Sequence, residues 1–123
     1  MPVLRGDDLE FVELPGRWSA NPLSDDFEDA VEVSVRVVDV PPGPRTPHRH
    51  PHSCEVIYVA RGEGRFWEGA ESSPATAGDV IVVEQGVPHA TVCTGTVAMR
   101  LICFFPRPDL SGNTEELAGP VRE

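Results

Sequence analysis

Apolar residues recur along the chain in short alternating or β-branched runs, a pattern typical of β-strands. The four valines between 31 and 37 alternate with polar residues and predict one half-buried strand over 31–37. Further strands are predicted at 55–60, 65–68, 80–83, 89–93 and 97–105. No stretch of about 12 residues or more has a 3.6-residue apolar period, so no long helix is expected.

Thirteen prolines and eleven glycines punctuate these runs. Short strands joined by tight turns predict an all-β sandwich or barrel, in which closure removes free strand edges. Within one domain, we expect an N-terminal arm or edge strand over 1–30, a barrel over 31–105 and a loosely packed tail or arm over 106–123. The acidic cluster at 25–29 is expected to be a solvated loop face, and residues 69–79 are expected to form turns.

Composition excludes several kinds of chemistry. The chain has 123 residues, with 20 acidic residues against 10 basic ones and a net charge of -10. Every basic residue is arginine, so there is no lysine to form a Schiff base or to serve a P-loop. The negative field also disfavours nucleic acid and anionic membranes as partners, and a small molecule is the expected partner.

The remaining composition points to a reducing compartment. The three cysteines, Cys54, Cys93 and Cys103, are widely spaced and indicate buried thiols rather than a disulfide framework. No apolar run reaches the roughly 18 residues of a membrane span. The acidic residues 1–10 lack the apolar core of a signal peptide. We therefore expect a cytoplasmic protein.

Histidines are clustered in one short segment. His48, His50 and His52 fall within five residues, and the fourth histidine is His89. Side chains at i and i+2 of a strand share a face, so His48 and His50 can direct two imidazoles at one point. Glu55 and His89 can add a carboxylate and a third imidazole, a set that suits transition metals. There are two alternatives to this metal site. The histidines could form an exposed adventitious metal binder, or the strand register could pair His50 with His52.

Regularly placed glycines flank these residues, and with them the chain resembles the cupin superfamily. The first cupin motif, G(X)5HXH(X)3,4E(X)6G, is matched with one residue fewer in its first spacer by Gly43, His48, His50, Glu55 and Gly62. The second, G(X)5PXG(X)2H(X)3N, is matched by Gly78, Gly86 and His89, with Glu84 and Cys93 replacing its proline and asparagine. The resemblance covers 43–93 directly and extends by strand pattern to about 31–105.

The resemblance implies a double-stranded β-helix, which is a small antiparallel jelly-roll barrel with a metal site inside. The implied ligands are His48, His50, Glu55 and His89, holding one divalent ion of iron, manganese, nickel or zinc. The ligand set by itself does not select among these ions. His52 has no ligand position in the motif and is expected at the mouth of the barrel.

Further residues are candidates for binding the substrate. Either Phe66 or its neighbour Trp67 should face the cavity, since adjacent strand residues point to opposite faces. Cys93 is expected to line the cavity as a small apolar residue or as a reactive thiol. Arg100 lies inside a strand, and an inward arginine would bind a carboxylate or phosphate. The remaining interior is expected to be lined by Ile57, Val59, Val82, Val92 and the strand at 99–105, with Tyr58 on the opposite face.

These observations predict a metal-dependent small-molecule enzyme of the cupin type. The resemblance leans to a dioxygenase-like oxidoreductase acting on a small chelating substrate. The alternatives are a metal-dependent isomerase or cyclase, a non-catalytic metal- or ligand-binding module, and a metal-free barrel in which the histidines bind substrate directly. Three neutral histidines and one carboxylate around a dication leave a net positive pocket, which an anionic small molecule would suit. A homodimer is expected.

Overall fold

The computed structural model describes residues 2–23 and 25–123, and most of the regular structure in this part is strand. A short 3-10 turn spans Gly6–Asp8, and one helix, α1, spans Asp25–Val31. The strands are β1 (Phe11–Leu14), β2 (Arg17–Ala20), β3 (Ser34–Val40), β4 (His48–Arg49), β5 (Glu55–Arg61), β6 (Glu63–Glu68), β7 (Glu71–Thr76), β8 (Val80–Val83), β9 (His89–Cys93), β10 (Met99–Phe105) and β11 (Glu115–Glu116).

The strands form two antiparallel sheets. One has the order β1-β2-β3-β10-β5-β8 and the other the order β11-β4-β9-β6-β7. Neighbours in each sheet are mostly distant in sequence, such as β3 beside β10 and β4 beside β9. This crossing-over between two facing sheets is the jelly-roll arrangement. The all-β, cupin-like fold predicted from the sequence is confirmed.

The core lies between the sheets and is built from inward residues of both. Its buried members are Val38, Val40, Ile57, Val59, Ala75, Val83, Cys93, Met99, Leu101, Cys103 and Phe105. Ile57 faces the core as predicted, and Tyr58 is 44% exposed on the opposite face. The prediction for Val82 is wrong, because that side chain is 65% exposed and Val83 is buried instead. Strand β8 pairs Val83 with Glu55, and this register turns the odd-numbered residues of both strands inward.

The first predicted strand begins later than its valines indicate. Helix α1 extends to Val31, which is 52% exposed. Glu32 then adopts a left-handed backbone with φ of 58°, which ends the helix. Strand β3 starts at Ser34, and its core residues are Val38 and Val40. The alternating valines therefore do not share one inward face.

The acidic cluster at 25–29 is not wholly solvated, contrary to expectation. Glu28 is buried, and its Oε1 accepts a hydrogen bond of 2.7 Å from Arg36 Nη1. Its Oε2 accepts a second bond, of 3.3 Å, from the backbone N–H of Asp109. A buried carboxylate persists here because both of its oxygens have a partner. The side chains of Asp25 and Asp26 lie outside the described part of the chain.

Residues 69–79 include a strand that the sequence did not predict. Strand β7 pairs with β6 along its whole length, from Glu63 opposite Thr76 to Glu68 opposite Glu71. It is an edge strand, where a proline such as Pro74 costs no ladder hydrogen bond. Serine, proline and alanine give little strand signal, and backbone pairing with β6 decides the conformation instead.

Both ends of the chain pack against its own barrel. Strands β1 and β2 form a hairpin that extends the larger sheet through pairs such as Ser19 with Val38. In the tail, β11 pairs with β4, and the backbones of Arg122 and Arg45 exchange two hydrogen bonds. Asn113 has no exposed surface. The tail therefore packs on its own barrel and is not loose, while its use as an arm stays a prediction.

Candidate metal centre

Three histidines converge inside the barrel. His48 lies in β4, directly opposite His89 at the start of β9, and His50 follows β4. One ring nitrogen from each of the three lies within 4.8 Å of the others, and all three side chains are buried. Two histidines at i and i+2 and a third across the ladder thus meet at one point, as the strand geometry predicts.

Glu55 approaches this triad from the opposite sheet. It begins β5, and its Oε1 lies 3.1 Å from His50 Nε2 and 3.2 Å from His89 Nε2. The carboxylate is buried, which places a negative charge beside the imidazoles and away from water. The four residues that the cupin motifs select are therefore brought together.

The other ring nitrogens of two histidines are fixed by backbone carbonyls. His50 Nδ1 donates to the carbonyl of Asn113 at 2.8 Å, and His89 Nδ1 donates to that of Val87 at 2.9 Å. In the neutral rings the hydrogen therefore sits on Nδ1, and Nε2 presents a lone pair. Such bonds are the usual means of orienting a metal-binding histidine.

Each of the four residues has a buried polar atom without a hydrogen-bond partner. These atoms are His50 Nε2, His89 Nε2, Glu55 Oε1 and His48 Nδ1. The Nε2 lone pairs of His50 and His89 face Glu55 Oε1 with no hydrogen atom between them. These atoms repel one another, and burial makes that arrangement costly. A cation between them removes the repulsion, so these residues fit a divalent metal ion.

Titration behaviour agrees with this fit. Burial, followed by the neighbouring charges of His89, Arg17 and Arg45, holds the pKa of His48 well below its usual range, so this ring is neutral near pH 7. Burial alone would raise the pKa of Glu55, but hydrogen bonds and positive charge from the His50 and His89 imidazoles, when these rings are protonated, outweigh it and hold that pKa well below the usual carboxyl range. A neutral imidazole and an ionised carboxylate are the forms that bind metals.

A cavity of about 260 Å³ opens onto the triad. Its apolar wall consists of Leu14, Val38, Ile57, Leu101, Phe105 and Leu110. Cys103 also lines it, and burial followed by the charge of Glu55 raises the pKa of this thiol well above its usual range, so it stays protonated. The size and the mainly apolar wall suit a small organic molecule with a metal-binding head.

Arginine side chains form the polar part of the wall. Arg17 Nη1 pairs with Glu116 at 2.8 Å, and Arg36 pairs with the buried Glu28. Arg45 is buried and donates from Nη1 to the carbonyl of Thr91 at 3.1 Å, but its Nε and Nη2 have no partner. Burial, followed by the charge of Arg17, lowers the pKa of Arg45 to about 10.

None of the four residues expected to contact the substrate lines this cavity, and two of them, Arg100 and Cys93, are held elsewhere. Arg100 makes two bonds to Asp39, of 2.8 and 2.9 Å, on the outer face of the sheet, because its neighbour Leu101 takes the inward position. Cys93 is buried in the core and donates from Sγ to the Val97 carbonyl, which supports the apolar interpretation over a reactive thiol.

The other two candidates lie at the edge of the site. Phe66 packs against the core, and its ring centroid lies 5.9 Å from that of His89. His52 is exposed, as expected of a residue at the mouth. Because its side chain stays outside the triad, the register that pairs His50 with His52 is wrong.

Sequence reasoning missed Arg45, Arg17 and Asn113. Asn113 belongs to the tail, yet it holds the metal-site loop with three contacts. Besides the bond from its carbonyl to His50, its Oδ1 accepts from the backbone N–H of His52 at 2.8 Å and its Nδ2 donates to Ser53 Oγ at 2.9 Å. No pattern in the sequence marks these residues, because only the folded chain brings them to the site.

The fold and the histidine triad define a jelly-roll barrel with an interior site that could hold a metal ion. A family model described as a cupin domain matches residues 36–105, and the chain belongs to the cupin family. It is similar to an oxalate-binding protein of Thermotoga maritima, with 31% identity over 67 residues. That match covers 54% of this chain and 55% of the relative, so it spans about half of each.

Solved structures share the fold. Ectoine synthase from P. lautus superposes with a TM-score of 0.78 at 20% identity, covering 100% of this chain and 94% of that one. Oxalate decarboxylase from Lactobacillus farciminis gives a TM-score of 0.76 at 24% identity, covering 90% of this chain and 34% of that one. At these identities the likeness shows a common fold. Within residues 2–23 and 25–123, no helix has the length and apolarity needed to cross a membrane.

Proposed function

We propose that the protein holds one divalent metal ion, of iron, manganese, nickel or zinc, at His48, His50, Glu55 and His89 and acts on a small carboxylate that chelates this ion. One observation carries the proposal: the buried Arg45, which has no carboxylate partner, lines the same cavity as the histidine triad. A buried guanidinium without a carboxylate partner is costly, and a carboxylate bound in the cavity would balance its charge.

The chain's own residues would bind and orient such a substrate. Arg45 would hold one carboxylate group, and the nearby charge of Arg17 would strengthen the attraction in a water-poor cavity. Apolar side chains such as Ile57 and Phe105 would exclude water from the bound molecule. A divalent ion at the triad would supply Lewis acidity for the substrate's chelating oxygens.

The comparisons support this substrate class without selecting a member of it. The curated relative is named for oxalate, and one structural neighbour is an oxalate decarboxylase. The dioxygenase-like oxidoreductase that the sequence favoured stays a prediction, as do isomerase and cyclase chemistry. A non-catalytic carboxylate-binding module is the second candidate, and the name of the curated relative favours it.

Metal content and binding of carboxylates test the proposal. Untagged protein would be analysed for bound metal, then titrated by calorimetry with oxalate and with other small mono- and dicarboxylates. We expect metal that is lost in His50→Ala and His89→Ala but retained in the matched control His52→Ala, whose ring is exposed. Protein that takes up none of the four metals, or that binds carboxylates equally well without metal, would refute the proposal.

Turnover assays then separate the candidates. Carbon dioxide released from the bound carboxylate would indicate a decarboxylase, and oxygen uptake by the iron-loaded protein would support the dioxygenase prediction. Tight, metal-dependent binding without turnover of any carboxylate would favour the binding module.

A further inference from the structure

Strand β10 gives the cavity a continuous apolar strip. Phe105, Cys103 and Leu101 occupy alternate positions of this strand, so their side chains share one side of the sheet, and all three line the cavity. The strip begins beside the proposed metal site, because the ring centroid of Phe105 lies 4.9 Å from that of His50. At about 3.4 Å per residue, it runs roughly 13 Å along the strand from Phe105 to Leu101.

Neighbouring strands widen this strip. Ile57 of β5 pairs with Cys103, and Val38 of β3 pairs with Leu101. Both side chains are buried and both line the cavity. We call Val38, Ile57, Leu101, Cys103 and Phe105 the apolar floor. The larger sheet therefore presents a surface of hydrocarbon and one protonated thiol to anything bound in the cavity.

The free positive charge of the cavity lies on the opposite side. Arg45 donates to the carbonyl of Thr91 in β9, which places its guanidinium against the smaller sheet, where His48 also lies. Arg17 and Arg36 lie on the larger sheet, but each already has a carboxylate partner. A bound molecule would thus meet the metal ligands and an unpaired cation on one side and the apolar floor on the other.

Size and polarity both bear on what fills this space. The cavity of about 260 Å³ has room for roughly nine water molecules at about 30 Å³ each. Oxalate, in which every carbon belongs to a carboxylate, offers the apolar floor nothing to pack against, so that surface would stay wet and its burial would contribute nothing. A mono- and a dicarboxylate would both reduce the excess of positive charge that a dication and Arg45 leave beside Glu55. The apolar floor, rather than charge, therefore distinguishes the two.

We infer that the substrate is an acid with an apolar tail: a 2-oxo or 2-hydroxy acid whose side chain is a hydrocarbon. The inference rests on the proposed function, because the acid head needs the metal ion and Arg45. The carboxylate and the neighbouring oxygen form the chelating head, and the tail lies on the apolar floor. Leu110 and the 39% exposed Leu14 continue the apolar wall to the surface, so a longer tail also finds apolar contact.

A series of acids of increasing length tests the inference. Calorimetry without oxygen, on protein loaded with whichever of the four ions it binds, would titrate pyruvate, 2-oxobutanoate, 2-oxopentanoate and 2-oxohexanoate. We expect the dissociation constant to fall about 4-fold for each added CH₂ group. The heat capacity change of binding should also become more negative along the series, because more apolar surface is buried.

A matched ligand separates an apolar tail from a second acid group. 2-Oxoglutarate has the carbon chain of 2-oxopentanoate but ends in a carboxylate instead of a methyl group, and we expect it to bind at least about 10-fold more weakly. Level affinity along the series, or tighter binding of 2-oxoglutarate, would overturn the inference and leave metal-dependent binding of carboxylates in place. Failure of every acid to bind in a metal-dependent way would overturn the proposed function as well.

Truncation of one leucine locates the tail in the cavity. Leu110 is partly buried and packs against the core from outside the two sheets, and Leu117 is a partly buried leucine of the tail that lines a different cavity. Leu110→Ala should weaken binding of 2-oxohexanoate about 10-fold and leave that of pyruvate unchanged. The control Leu117→Ala should bind both acids as wild type does. An equal loss for both acids in Leu110→Ala would contradict the placement of the tail, and unchanged pyruvate binding shows that the variant is folded.

Discussion

Replacing Arg45 should stabilise the protein while weakening its binding of carboxylates. Burial is the main reason that the pKa of Arg45 falls from the ordinary arginine range to about 10, and 1.36 kcal/mol per pKa unit makes the cost of holding this charge about 3 kcal/mol. Arg45→Met removes that cost but also the bond to the Thr91 carbonyl, which is worth about 1 kcal/mol. The expected net gain is about 2 kcal/mol, within the range observed when buried ions are replaced by apolar residues.

The sign of this effect follows from protonation. Both the folded and the unfolded forms are charged at pH 7, and the folded form holds its proton less tightly. The destabilisation is therefore fully present below about pH 10 and disappears as the pH rises to the ordinary arginine range, where the unfolded group also loses its proton. At neutral pH the whole difference between wild type and Arg45→Met should be visible.

Urea unfolding of the metal-free protein and calorimetric titration with carboxylates measure the two halves of this prediction. Arg100→Met is the matched control: it loses a pair with Asp39 on the outer surface, which should cost less than about 1 kcal/mol and leave carboxylate binding unchanged. In Arg45→Met, binding should weaken about 10- to 100-fold, the worth of a charge-assisted hydrogen-bonded pair. A destabilised variant that binds carboxylates normally would refute the assignment of Arg45 as an unsatisfied anion-binding group.

Three further outcomes are expected. Burial holds the pKa of His48 below 6.5, so the unfolded chain binds a proton at this residue more readily than the folded chain does. Stability should therefore fall as the pH drops below about 6.5. Unfolding curves between about pH 7.5 and 5.5 measure this fall, and a flat profile would contradict it. Asn113→Ala keeps the backbone carbonyl that accepts from His50 but removes the side-chain bonds to His52 and Ser53 that hold this carbonyl in place. It should therefore weaken metal binding about 10- to 100-fold and shift the His50 Nδ1 signal in ¹⁵N NMR, whereas an unchanged signal would make the role of Asn113 merely structural. Gly64→Ala should destabilise by more than about 2 kcal/mol, because a Cβ there would overlap the Val92 carbonyl oxygen. In the control Gly6→Ala the added Cβ would meet no other atom, so this variant should keep nearly the wild-type stability. Thermal melts of both variants measure the difference.

The convergence of the four proposed metal ligands was predictable because the signals for it are local in the sequence. His48 and His50 are two residues apart on one strand, and Glu55 and His89 stand next to turns marked by proline and glycine. Strand periodicity also predicted which side of β5 faces the core, with Ile57 inward and Tyr58 outward. Residues two apart on an extended backbone share a face in any sheet, so such inferences need no knowledge of neighbouring strands.

What the sequence did not reveal depends on pairing between distant segments. Arg45 gives no local signal, and it becomes an anion-binding candidate only because the barrel buries its guanidinium beside Arg17. Arg100 was the better candidate by pattern, but its partner across the ladder is Asp39, and that pair holds it on the outer surface. The prediction of a strand over 31–37 failed for a similar reason, because Val31 belongs to helix α1 and strand β3 begins only at Ser34. The cytoplasmic location stays a prediction.

Asn113 has a consequence for the order in which the site can be made. The ribosome completes His48, His50, Glu55 and His89 well before it reaches Asn113, so a growing chain holds all four ligand side chains without the carbonyl that orients His50. Metal captured at that stage would meet a freely rotating imidazole and a weaker, less selective site. A metal site of the proposed kind would therefore reach its full selectivity only in the folded protein, once Asn113 is in place, rather than in the nascent histidine cluster.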